Sequence, residues 1–99
     1  MLSLEQIIST LEQNRTRLHA VYGVQRIGVF GSYARGNQTA DSDIDFVVDF
    51  SDNLTDLFET KYQLREFLSA IFHKQIDLAN LKAIKPYVYK EISQEIRYA

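Results

Sequence analysis

The sequence predicts a small α/β (α+β) domain of order α-β-α-β-α-β-α, a three-stranded mixed sheet with helices packed on it. Three observations predict it. Apolar residues recur at helical spacing before Gly23, between Leu54 and Phe72, and after Pro86. Short strand-like runs, RIGVF, DIDFVVDF and QIDLA, alternate with those helical stretches. Gly23, Gly31, Gly36 and the single proline fall at the joints between segments.

In order, Ser3 opens the first helix, because Ser3-x-x-Gln6 has capping-box form. Leu4, Ile7, Ile8, Leu11, Leu18, Val21 and Tyr22 then make one apolar stripe, which Gly23 stops. Arg26 to Phe30 reads as the first strand. Gly31-Ser32 breaks it, Ser32 to Arg35 reads as a short helix closed by Gly36, and Asn37 to Ser42 reads as a polar loop. Across Asp43 to Phe50, Ile44, Phe46, Val48 and Phe50 share one face, while Asp43, Asp45, Val47 and Asp49 share the other. Leu54 to Phe72 reads as a long helix with Leu57, Leu64, Leu68 and Ile71 near one face. Gln75 to Ala79 is a short third strand, with Ile76 and Leu78 opposite Asp77. Pro86 suits the first turn of a last helix in which Val88, Ile92 and Ile96 are spaced by four. Packing these helical stripes on a three-stranded sheet is the simplest way to bury them.

The 99 residues suffice for one domain, expected over 1–99. No apolar run approaches the length of a membrane span, so no membrane association is expected, and the N-terminal residues lack the form of a secretion signal. Cysteine is absent, which excludes disulfides, zinc–thiolate sites and a cysteine nucleophile. A cytoplasmic location is the default expectation. The net charge of −2 argues against stable direct binding to nucleic acid, which takes a basic surface. Charge distribution says more than the sum. No Lys or Arg lies between Arg35 and Lys61, yet that gap holds Asp41, Asp43, Asp45, Asp49, Asp52, Asp56 and Glu59, seven of the thirteen acids.

Within the gap, Asp43-Ile44-Asp45 has the form of a cation site. In a strand, residues i and i+2 lie on one face roughly 6.6 to 6.8 Å apart, so both carboxylates can converge on one metal or a pair. Mg²⁺ takes oxygen ligands and is typically held by one or two carboxylates plus substrate phosphates. Two like charges so close repel, which a cation relieves. Just upstream, Gly31-Ser32 sits where a strand ends and a short helix begins, offering backbone amides and a hydroxyl to a phosphate. Arg35, one turn on, supplies a planar fork for phosphate or pairs with an acid such as Asp41. Asp77 is the candidate third carboxylate of a two-metal phosphoryl-transfer site and a candidate base. It reaches that site only if its strand neighbours the Asp43 strand. Ser42 is a candidate nucleotide-site residue, or a brace for the loop before Asp43.

Gly31-Ser32-Tyr33-Ala34-Arg35-Gly36 followed by Ser42-Asp43-Ile44-Asp45-Phe46 resembles the signature of the DNA-polymerase-β-type nucleotidyltransferase superfamily: a Gly-Ser pair, ten residues, then Asp-x-Asp. With Gln75-Ile76-Asp77-Leu78 and the Pro86 helix, the whole chain is similar to the minimal (MNT) branch. That resemblance implies ATP as donor, Mg²⁺ (a pair of ions) as cofactor, and a heteromeric complex with a HEPN-domain RNase toxin. The chain would be the antitoxin and adenylylate its toxin, commonly on a tyrosine hydroxyl. Carried over by position, Gly31 and Ser32 contact the triphosphate, Asp43 and Asp45 hold metal, and Asp77 fills the third acidic place. On this reading the chain is expected to be without the second domain of larger superfamily members. Two other functions compete: inhibition by covering the toxin, with a vestigial nucleotide site, and nucleotidyl transfer to RNA or a small molecule. Three aligned carboxylates favour the enzyme, since steric inhibition has no use for them.

Plainer roles are expected elsewhere. Asp49 is solvated or pairs with a Lys. Asp41, Asp52, Asp56 and Glu59 are loop and helix-start acids. His19 and His73 are structural or exposed. Tyr33 stacks on a base or meets solvent or a partner, and Tyr87, Tyr89 and Tyr98 are placed in the last helix.

Overall fold

A computed structural model describes residues Met1–Ala99. Ser3 caps helix α1 (Leu4–Gln13): its hydroxyl accepts from the Gln6 amide and the Gln6 side chain accepts from the Ser3 amide. The single long first helix expected from periodicity is in fact two. Asn14 interrupts it, and α2 (Arg15–Tyr22) follows, keeping only Leu18 fully buried. Gly23 ends α2 in the left-handed conformation, φ 66°, as its position suggested.

Strand β1 (Val24–Phe30) begins two residues before the expected start. Its pairing with β2 (Ile44–Phe50) is antiparallel and slips between Val24 and Arg26. That bulge is why Val24 and Ile27, three residues apart, both reach the core and the strict alternation of a strand is lost. Between β1 and β2 lies the short helix α3 (Ser32–Arg35), closed by Gly36 at φ 79°. Helix α4 (Leu57–Phe72) starts three residues later than predicted, because Asp56 caps it by accepting from the Glu59 amide.

Strand β3 (Ile76–Asn80) lies parallel to β2, as the α4 crossover requires, with Asp77 opposite Asp45. A 3₁₀ turn (Leu81–Ala83) then leads to α5 (Pro86–Ile92). The sheet has four strands, not three, in the order β3-β2-β1-β4. The extra strand β4 (Arg97–Tyr98) pairs antiparallel with β1 at Gly28 and Val29. It is too short for periodicity to detect. The last helix therefore ends at Ile92, and Tyr98 stands on the sheet edge. Ile96, predicted to lie on that helix, packs against β1 instead.

Ile44, Phe46, Val48 and Phe50 join Ile7, Leu11, Leu18, Leu64, Leu68 and Phe72 in one buried cluster. The opposite faces of β2 and β3 carry Asp45, Asp49 and Asp77. The core thus fixes the strands that present the carboxylates.

Candidate active site

Register brings the first two acids together. Asp45 and Asp77 are paired residues on parallel neighbours, so they share a sheet face at strand spacing. Burial, then the neighbouring Asp77 carboxylate, then the charge of Asp43, push the Asp45 carboxyl up to about 6; the Arg35 charge pulls the other way. Asp43 precedes β2 rather than lying within it, and is exposed. Its charge reaches Asp45, but the three acids do not close into a ready-made cage. An open set suits Mg²⁺, which draws the rest of its ligands from water and phosphate.

Gly31 is packed against Asp45. Its φ of 76° and ψ of −151° lie in a region that only glycine occupies readily. A Cβ there would sit 2.0 Å from Asp45 Oδ2. The missing side chain is therefore what lets the end of β1 approach the β2 carboxylate. The Gly31 amide donates to Glu95 Oε2 at 2.7 Å, and Arg35 Nη1 donates to the same oxygen at 2.9 Å. Arg35 thus pairs with Glu95, not with Asp41. Ser32 is half-buried at the start of α3, between these two donors.

Other candidates fall outside this cluster. The Ser42 hydroxyl accepts from the Thr39 amide at 2.8 Å and lies 3.4 Å from the Thr39 hydroxyl, so it braces the loop that delivers Asp43. Asp49 pairs with Lys82 at 3.5 Å and Arg26 at 3.9 Å. Tyr33 is only 1 % exposed, with no partner for its hydroxyl. It is a core residue and stacks on nothing in solvent. Glu95 escaped notice in the sequence: it stands 60 residues from Arg35, ahead of a strand that no pattern announced.

The donor set is hard oxygen throughout, the kind Mg²⁺ takes, and the repulsion that Asp77 and Asp43 exert on Asp45 is what a cation there would relieve. Beside it lies the Arg35 guanidinium, which gives one N–H to Glu95 and keeps others suited to phosphate.

Comparison with known proteins identifies the family. The Nucleotidyltransferase domain family matches residues 5–99. Protein adenylyltransferase MntA of Thermococcus cleftensis is 38% identical over 98 residues, covering 99% of this chain and 97% of that protein. A solved structure described as a proposed minimal nucleotidyltransferase superposes with a TM-score of 0.79 at 27% identity, over 97% of this chain and 95% of that one. A toxin–antitoxin crystal structure with AMP-PNP superposes with a TM-score of 0.69 at 26% identity, over 98% of this chain and 72% of that one. A complex of tri-AMPylated Shewanella oneidensis HEPN toxin with MNT antitoxin shares the fold, with a TM-score of 0.59 at 22% identity over 95% of this chain and 66% of that one. The family match spans nearly the whole sequence, and the relative's identity holds along its full length: this chain belongs to the nucleotidyltransferase domain family and is a nucleotidyltransferase.

Proposed function

We propose that this chain is an antitoxin that transfers AMP from ATP to a hydroxyl of a partner HEPN toxin, a tyrosine hydroxyl by preference. One observation carries the chemistry: Asp45 and Asp77 stand in register on parallel strands, with Asp45 against the side-chain-free Gly31 that opens the Ser32–Arg35 turn. The protein acceptor and the toxin partner are supported by the relative named MntA and by the toxin–antitoxin structure holding AMP-PNP.

Asp43, Asp45 and Asp77 would hold Mg²⁺, which supplies charge neutralisation and polarisation at the α-phosphate. Ser32 and Arg35 bind the triphosphate, the hydroxyl as donor and the guanidinium as a fork. Gly31 lets that turn lie against Asp45. The acceptor oxygen attacks the α-phosphorus in line, the bond from that phosphorus to the bridging oxygen breaks, and pyrophosphate leaves. Asp77, exposed at the sheet face, takes the proton of the attacking hydroxyl. Ser42 acts at one remove, by fixing the loop before Asp43.

The test is incubation of a HEPN partner with the protein, Mg²⁺ and ATP, followed by intact-mass measurement of the partner. A gain of one or more AMP units, lost in Asp43→Ala and Asp45→Ala, is expected. A toxin neutralised equally by wild type and both variants, with no mass gain, establishes steric inhibition instead.

A further inference from the structure

Glu95 is the one acid outside the aspartate cluster that touches the Gly31–Arg35 turn. A single oxygen, Oε2, accepts from both the first residue of that turn and its last, at 2.7 and 2.9 Å. Ser32 lies between the two donors. The side chain is only 22% exposed, so these charge-assisted bonds are partly shielded from water.

The chain is brought there by β4. Tyr98 pairs with Gly28, Arg97 with Val29, and the Ala99 amide donates to Ile27 O at 3.0 Å. Gly28 makes room for this docking: a Cβ there would lie 2.7 Å from Ile96 Cγ2 and 3.0 Å from Tyr98 Cδ1. A bare notch in β1 thus seats the residues after Glu95, and the seat aims Glu95 at the turn. Arg35 binds Glu95 through Nη1, while a guanidinium has five N–H donors. Its side chain would otherwise lose substantial rotamer freedom on gripping a phosphate.

We infer that Glu95 is a positioning residue for nucleotidyl transfer, holding the Arg35 guanidinium and the Gly31 peptide in the orientation that meets the triphosphate. The inference rests on reading the Gly31–Arg35 turn as the triphosphate site. Glu95 acts through Arg35 and touches neither the nucleotide nor the reacting atoms.

The experiment is equilibrium binding of a non-hydrolysable ATP analogue with Mg²⁺ to the wild type, Glu95→Ala, Glu95→Gln, Arg35→Ala and the Glu95→Ala/Arg35→Ala pair. Losing two charge-assisted bonds that order Arg35 weakens binding about tenfold in Glu95→Ala. Glu95→Gln recovers part of the loss, because its carbonyl oxygen accepts from the same donors. In the Arg35→Ala background, Glu95→Ala costs less than in the wild type, a coupling that general destabilisation does not produce. Thermal unfolding checks each variant, and if Glu95→Ala is unfolded, Glu95→Gln carries the comparison with a loss of a few fold. Unchanged affinity in the variants, or fully additive losses, overturns the inference. Tighter binding without Glu95 also overturns it, making Glu95 an anion that the triphosphate must displace. A wild type that binds no analogue overturns the triphosphate reading itself and this inference with it, so the two failures are distinguishable.

Discussion

Gly31→Ala isolates the contact on which the site depends. Two costs follow from the structure. The backbone at φ 76° and ψ −151° is a conformation near-exclusive to glycine, and holding alanine there costs on the order of 1–3 kcal/mol. The new Cβ would also stand 2.0 Å from Asp45 Oδ2 and 2.9 Å from Asp45 Cγ, so the carboxylate must retreat to at least 3.4 Å. Displacements of about 1 Å at reacting groups cost about 10²-fold in rate. Melting should fall by roughly 4–8 °C for each kcal/mol lost, and the transfer rate by about two orders of magnitude. Gly36→Ala is the control. Gly36 has φ 79°, but a Cβ added there would meet nothing within 4 Å, so that variant bears only the conformational cost and keeps its activity. Thermal unfolding by circular dichroism and initial rates of transfer at saturating ATP measure both. Equal rates for Gly31→Ala and Gly36→Ala would refute the claim that close approach of Gly31 to Asp45 sets the site.

Two further outcomes are expected. Tyr33→Phe removes a buried hydroxyl that has no partner, so stability should hold or rise by up to about 1 kcal/mol with transfer unchanged; a large loss of activity means that the hydroxyl serves the nucleotide. For pH, the Asp45 carboxyl is held at about 6, above its unfolded range, so the folded state binds the proton more tightly. Asp45 therefore contributes most to metal-free stability at low pH, and that contribution, on the order of 1 kcal/mol after solvent screening, is lost as pH rises through about 6. Mg²⁺ acts in the opposite sense, and its gain in Tm should grow between about pH 5 and pH 7. Asp45→Asn should flatten both trends, and a metal-free Tm that climbs across this window relative to that of Asp45→Asn contradicts the assignment.

Much of the site was legible because it is local. Gly31, Ser32, Asp43 and Asp45 lie within a short stretch, and the two-residue period of a strand puts Asp45 and Asp49 opposite Ile44 and Phe46. Gly23 and Gly36 announced their helix ends for the same reason. What was hidden depends on distant parts of the chain. Asp77 could be placed beside Asp45 only through the β2–β3 register. Glu95 needed β4, and β4 needed a notch at Gly28 that no periodicity reveals. Asn14 broke a helix whose apolar stripe runs on, and Tyr33 sat in the motif as core, although its neighbours suggested a surface role.

The most direct test of nucleotidyl transfer uses ATP labelled at the α-phosphate or at the γ-phosphate, incubated with the protein, Mg²⁺ and a HEPN partner. Transfer of AMP predicts that the α-label enters the partner, that the γ-label leaves as pyrophosphate, and that Asp45→Ala transfers neither. Entry of the γ-label, or a neutralised partner carrying no label, would contradict it.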